Sequence, residues 1–271
     1  MGLKEELYEE IKRILDYDLQ VTNLKRIPSK GDLTLGETAA KIRTAVLFTD
    51  IRNSSIYADT HWQKTTSKTI NAFLNCALRI VKKNNGEVRS FNGDSLLALF
   101  DPNNSPCTGA VTSAMELIWA VRNIIAPSVC EKGYIENFDI GIGISFGDIL
   151  CSRVGIRGED NNDLIWTSST TNLAAKMGNQ ASKPFNIIID NKVWESIPNK
   201  LKLNETRLLP QNKYEGLTQL TPTFPRLTPG PALSLRPPLL PFRTSYWEGT
   251  IMPFAKGLEK VYKTSYMIPL S

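Results

Sequence analysis

The chain has 271 residues, 41% hydrophobic and 22% charged, enough for one substantial globular domain with appendages. No apolar stretch approaches the roughly 20 residues that a membrane-spanning helix needs, and the opening Met1-Gly2-Leu3-Lys4-Glu5-Glu6-Leu7 is too acidic for a secretory signal. A net charge of +5 without a basic, aromatic-interleaved patch disfavours a nucleic-acid platform, and one histidine with four unpaired-motif cysteines (Cys76, Cys107, Cys130, Cys151) disfavours zinc and fits a reducing, cytoplasmic setting.

Leu3, Leu7, Ile11 and Leu15 recur every four residues, which predicts an amphipathic helix over 4–18, free to pack on the domain or on a partner. Residues 27–41 read as a polar connector, so 1–43 form an appendage and 44–271 the domain. A strand is expected over 44–50. The next helix is expected over 67–83, with Ile70, Phe73, Leu74, Ala77, Leu78 and Val81 on one face. Strands over 87–90 and 96–100 then form a hairpin about Asn92-Gly93-Asp94, where Asn and Gly tolerate turn geometry. A helix over 105–126 follows, then a strand over 138–145 that turns at Gly147-Asp148 into a hairpin partner over 149–155. A short helix over 172–181 and a strand over 185–190 come next. Seven prolines between Pro222 and Pro241 mark 216–243 as an extended insertion, and a last strand is expected within 258–269. Hairpin strands interspersed with helices predict an α+β fold, a mostly antiparallel sheet with helices on one face.

Two aspartates carry the chemistry. Asp50 ends the apolar run Ala45-Val46-Leu47-Phe48-Thr49, and Asp94 precedes the apolar run Leu96-Leu97-Ala98-Leu99-Phe100. Carboxylates at strand ends, without His or Cys, favour hard cations such as Mg2+ or Mn2+. Two such ions about 3.5–4 Å apart polarise a phosphoryl group and acidify an attacking hydroxyl. The Ile51 carbonyl stands beside Asp50. The stretch Arg52-Asn53-Ser54-Ser55 offers N–H groups and hydroxyls to phosphate. Either aspartate alone is as readily a strand or turn cap, so the pair carries the reading.

Four segments, in order, resemble the motifs of class III nucleotidyl cyclases: Val46-Leu47-Phe48-Thr49-Asp50-Ile51-Arg52, Phe91-Asn92-Gly93-Asp94-Ser95, Gly141-Ile142-Gly143-Ile144-Ser145-Phe146-Gly147 and Thr171-Asn172-Leu173-Ala174-Ala175-Lys176-Met177. The likeness spans about residues 44–190 and the closing strand near 256–268. It implies the ferredoxin-like catalytic domain of that family. It also implies Asp50 and Asp94, with the Ile51 carbonyl, as ligands of two divalent cations, Mn2+ or Mg2+. Asn172 would orient the ribose, Lys176 would offset charge on the α-phosphate, and Lys256 would bind the terminal phosphates. Because the family draws the metal aspartates and the Asn–basic helix from different subunits, a head-to-tail homodimer is implied.

Departures from the family pattern narrow the substrate. Ser90 stands where adenylate cyclases place Lys and guanylate cyclases Glu, and Ile165 stands where adenylate cyclases place Asp or Thr. Neither makes the purine pairing expected there. Lys176 replaces the usual Arg, keeping the charge and losing the bidentate fork. The run from Arg89 to Ser95 resembles the pyrimidine-specific branch, the anti-phage Pycsar cyclases that make cyclic UMP or cyclic CMP. That implies UTP or CTP as substrate, UTP favoured, and a separate cyclic-nucleotide-binding effector. An adenylate cyclase and a catalytically silent nucleotide-binding regulator are the alternatives. Phe48 shares a strand face with Asp50 and is either a nucleotide contact or a core residue. A polymerase palm or diguanylate cyclase would carry a Gly-Gly-(Asp/Glu)-(Asp/Glu)-Phe hairpin, which this sequence lacks.

Overall fold

The computed structural model describes residues 2–54, 63–135, 137–156, 162–204, 244–245, 247–254, 257–264, 266–268 and 270. Helix α1, Leu3–Asp16, forms where the four-residue apolar repeat predicts it and buries none of its residues. Strand β1, Gln20–Asn23, lies parallel to the start of β2, Thr38–Ile51. That second strand begins six residues before the expected start at 44, because Ala39, Ala40 and Ile42 are buried and paired. The residues read as connector therefore end inside the sheet.

Helix α2, Gln63–Lys83, leads into β3, Gly86–Asn92, and β4, Ser95–Phe100. Helix α3, Pro106–Ala120, continues through a π-turn at Val121–Ile125 into α4, Ala126–Glu131. The wider turn falls just before Pro127, whose missing N–H cannot continue the α ladder.

The largest difference from expectation is β5, Ile140–Gly155, one strand of 16 residues. Gly147 and Asp148 are not a hairpin turn; they pair with Thr44 and Arg43 in an unbroken register along β2. The length of β2 holds this segment straight. Gly147 is small because Thr170 Oγ1 would lie 2.5 Å from any Cβ there. The hairpin partner is β6, Asn162–Thr167.

Helix α5, Ser169–Gln180, starts three residues before the expected position because Ser168 caps it, accepting the Thr171 N–H at 2.9 Å. Strand β7, Ile187–Asp190, is followed by α6, Asn191–Ser196, and α7, Asn199–Lys202. Strands β8, Glu248–Phe254, and β9, Gly257–Thr264, close the sheet. The proline-rich 216–243 lies outside the described residues.

The sheet runs β8-β9-β7-β5-β2-β4-β3, with β1 and β6 added to β2 and β5. Among these pairs only β1·β2 and β5·β7 are parallel, so the expected α+β architecture with a mostly antiparallel sheet is present. Helices α2 and α3 cover one face through Phe73, Met115, Leu117 and Ile118 against Leu47, Ile142 and Ile187. The other face carries α5, set by Ala174 on Ile42, Val46 and Ile149 and by Met177 on Ile188 and Val261. The expectation of helices on one face thus describes α2 and α3, while α5 sits on what is otherwise the open face. Among the described residues no helix is long and apolar enough to cross a membrane.

Candidate active site

Alternation along β2 puts Val46, Phe48 and Asp50 on the open face, and Leu47 and Ile51 in the core. The β3–β4 hairpin closes through Gly93 and Asp94 between the paired Asn92 and Ser95. Gly93 has φ 62°, which a two-residue turn with glycine first requires. This turn sets Asp94 beside Asp50. Burial and the Asp94 charge push the Asp50 carboxyl up to about 6, against the pull of Arg52. Arg52 Nη2 donates to Asp50 Oδ2 at 3.1 Å, and its Nη1 to the Asn179 carbonyl at 2.8 Å, tying the end of β2 to α5.

Asp94 Oδ2 is buried and accepts no hydrogen bond. Two neighbouring carboxylates, one buried oxygen without a donor and, among the described residues, oxygen ligands in place of His or Cys fit a hard divalent cation. The Ile51 side chain is buried in the core, which leaves only its backbone carbonyl to join them. Among the described residues no group of three His, Cys, Asp or Glu side chains gathers at this site or at any other, so the carboxylate pair is the whole side-chain set. Ser54 lies half-buried three residues beyond Ile51, and Ser55 lies outside the described residues.

Asn172 and Lys176 are one turn apart on the exposed side of α5. They line a cleft of about 520 Å³ together with Ser145, Phe146, Lys192 and Lys260. Lys192 and Lys260 were not singled out from sequence. The signal for Lys260 was its place inside the expected closing strand, and Lys192 had none. Lys256 lies outside the described residues. Asp190, at the cleft wall, accepts from Ser145 Oγ at 2.6 Å, Phe146 N–H at 3.1 Å and Val193 N–H at 2.8 Å. It is the cap of α6, and burial raises its pKa against those bonds.

Glycines decide how closely α5 lies on β5. A Cβ on Gly143 would sit 2.0 Å from the Ala174 carbonyl, and one on Gly141 2.4 Å from the Gly178 carbonyl. Gly178 in turn lies under the Phe48 ring, where a Cβ would meet Cδ1 at 2.6 Å. Phe48 is therefore packed into the cluster of Val46, Leu99 and Ala174.

The aspartates and the Asn172 cleft stand apart. Asp50 pairs with Gly141, while the cleft is built on Ser145, paired with Val46. Four strand residues separate them, roughly 13 Å. Along α5, Asn172 precedes Asn179, the neighbour of Arg52, by seven residues, roughly 10 Å.

A β-bulge at Arg89 turns Ser90 onto the open face, where Phe48, Leu97 and Ser90 form a row across three strands. Ser90 is exposed there. The structure does not bring Ile165 to this row. Ile165 is exposed, and alternation along β6 turns it to the face opposite its neighbour Trp166. Trp166 reaches β3 instead, with the Arg89 guanidinium 5.1 Å over its ring and its indole N–H buried without a partner.

Residues 38–209 match the adenylate and guanylate cyclase catalytic domain, and the chain belongs to that family. It is thus a nucleotidyl cyclase, from a family that acts on nucleotides, generally depends on divalent metal and commonly dimerises. The chain is 31% identical over 206 residues to the uridylate cyclase of Burkholderia cepacia, spanning 74% of this chain and 87% of that protein. It is 31% identical over 180 residues to the uridylate cyclase of Xanthomonas perforans, spanning 65% of this chain and 77% of that protein. The cytidylate cyclase of Staphylococcus aureus is 28% identical over 163 residues, which is 58% of this chain and 38% of that protein. Two solved structures share the fold. The adenylyl cyclase CyaB from P. aeruginosa has a TM-score of 0.60 at 13% identity, covering 86% of this chain and 99% of its own. The guanylyl cyclase Cya2 has a TM-score of 0.61 at 13% identity, covering 84% and 94%.

Proposed function

We propose that the protein is a metal-dependent uridylate cyclase that converts UTP to 3′,5′-cyclic UMP and pyrophosphate. The observation that carries the base selectivity is the row Phe48–Leu97–Ser90. It offers a short hydroxyl where a purine-reading lysine or glutamate would reach out. The names of the relatives from B. cepacia and X. perforans support the same base. Serine donates or accepts equally well, so Ser90 alone does not separate UTP from CTP.

Asp50, Asp94 and the Ile51 carbonyl would hold two divalent cations, which supply acidification of the ribose 3′-OH and charge neutralisation at the phosphates. Asn172 fixes the ribose so that its 3′ oxygen lines up behind the α-phosphorus. Lys176 faces the charge that grows on the α-phosphate, and Lys192 and Lys260, with Lys256, hold the terminal phosphates. The 3′-oxygen–phosphorus bond forms as the bond to the bridging oxygen breaks. Pyrophosphate leaves and the hydroxyl proton passes to solvent. Ser54 and Ser55 offer hydroxyls to phosphate. The gap of roughly 10–13 Å between the aspartates and Asn172 supports a head-to-tail homodimer, open face on open face, in which each site draws on both copies.

The test is purified protein with Mn2+ and each of the four ribonucleoside triphosphates. Cyclic UMP with matching pyrophosphate is expected from UTP alone. Preference for CTP or ATP would overturn the base assignment, and no cyclic product from any of them would leave a silent nucleotide-binding protein. By its resemblance to the anti-phage branch, the product is a second messenger for a separate cyclic-nucleotide-binding effector. Loss of phage protection in Asp94→Asn cells checks that role.

A further inference from the structure

Among the described residues, two apolar surfaces of this chain stand exposed. Leu3, Leu7, Ile11 and Leu15 along α1 are exposed to 71%, 53%, 56% and 76%. On the α2–α3 side of the sheet, α2 and Phe91 frame a groove of about 610 Å³ lined by Ile70, Leu74, Leu78 and Phe91. Leu78 and Phe91 are themselves 40% and 52% exposed, so the groove is open to a partner.

The two surfaces carry opposite charge. Helix α1 has Glu5, Glu6, Glu9, Glu10 and Asp16 against Lys4, Lys12 and Arg13. Helix α2 has Lys64, Lys68, Arg79, Lys82 and Lys83 and no acidic residue. Of these bases Lys83 is already engaged by Glu116, while Lys64, Lys68 and Arg79 each directly follow a groove residue in the helix, Gln63, Ser67 and Leu78, and so flank its uncharged lining. Pairing α1 with α1 of another copy would instead set acidic flanks against each other.

Most of the stripe cannot fill the groove in cis. Phe91 pairs with Leu96, which pairs with Thr49, whereas β1 starts level with Thr38. That is eleven strand residues, about 36 Å. From Gln20 back to Leu15 the chain reaches at most about 18 Å, and α1 adds only 1.5 Å per residue. Only the tip of α1 reaches Phe91 within one copy.

We propose that α1 of one copy docks in the α2–Phe91 groove of a second copy, reciprocally, strapping the two together. The strap would also brace the hairpin that carries Asp94, since Phe91 lies three residues before it. The docking does not depend on which nucleotide is cyclised or on a shared active site.

The test mixes two full-length variants of different tag size, Ile11→Cys and Leu78→Cys, each with the exposed Cys130 changed to Ser, and adds a short bis-maleimide. A covalent dimer containing both tags is expected only in the mixture. Absence of that species overturns the proposal, and a dimer formed by Ile11→Cys protein alone overturns it in favour of α1 self-pairing. Sedimentation supplies the second reading. Leu7→Glu/Ile11→Glu, placed on a helix that buries nothing, should weaken self-association at least tenfold, and unchanged association would overturn the strap. Cyclase activity recovered by mixing active-site variants is measured separately, so a failed strap and a failed shared site give different results.

Discussion

Asp50 and Asp94 are held close, Arg52 donates to Asp50, and the Asp94 Oδ2 left without a donor shows that protein groups alone do not satisfy them. A divalent cation should therefore stabilise the fold as well as serve the reaction. At a hundredfold excess over its dissociation constant, Mn2+ should add about 2.7 kcal/mol, read as a rise in melting temperature that EDTA reverses. Asp94→Asn should abolish both that rise and the activity while remaining folded. In the proposed mechanism Lys176 acts on charge in the transition state, so Lys176→Ala should lower kcat by roughly a hundredfold to a thousandfold with a smaller change in KM. Lys192→Ala and Lys260→Ala should act mainly on KM. Steady-state kinetics of the three variants checks the division of roles.

At the scale of elements, the decisive contact is α5 lying directly on β5. Gly141 and Gly143 recur at the strand period on the face that meets the helix, and the Ala174 carbonyl leaves Gly143 no room for a methyl. Gly143→Ala should cost about 3 kcal/mol or more, measured by denaturant unfolding, and displace Asn172 with the helix. The bulge at Arg89 acts similarly on β3 by moving Ser90 across to the open face. Trp166 faces that side and Ile165 does not. Ile165→Ala should leave the preference among triphosphates unchanged, whereas Trp166→Phe, which removes the buried N–H, should alter it. Rates with UTP, CTP and ATP for both variants test this. In sequence the two residues are adjacent, and only the strand's pairing decides which one turns inward.

For the whole molecule, the head-to-tail dimer proposed from the separation of the aspartates and Asn172 would make activity a property of two copies. Asp50→Ala and Asn172→Ala proteins should each be inactive. Mixed under conditions of subunit exchange they should recover about a quarter of wild-type activity, because half of random dimers hold one intact site of two. No recovery after demonstrated exchange would rule out the shared site.

The ordered motifs made the family, the α+β class and the aspartate pair legible, because each depends on local matters: strand alternation, a turn glycine and a four-residue helical spacing. The long β5 was not legible, since Gly147-Asp148 has turn composition and only pairing along the whole of β2 overrides it. Nor were Lys192 and Lys260, which reach the Asn172 cleft through the order of strands rather than through any motif. The sequence by itself determined which residues could do chemistry on a nucleotide. Only the tertiary structure decided which of them share a face, because strand register and the seating of α5 depend on contacts between segments far apart in the chain.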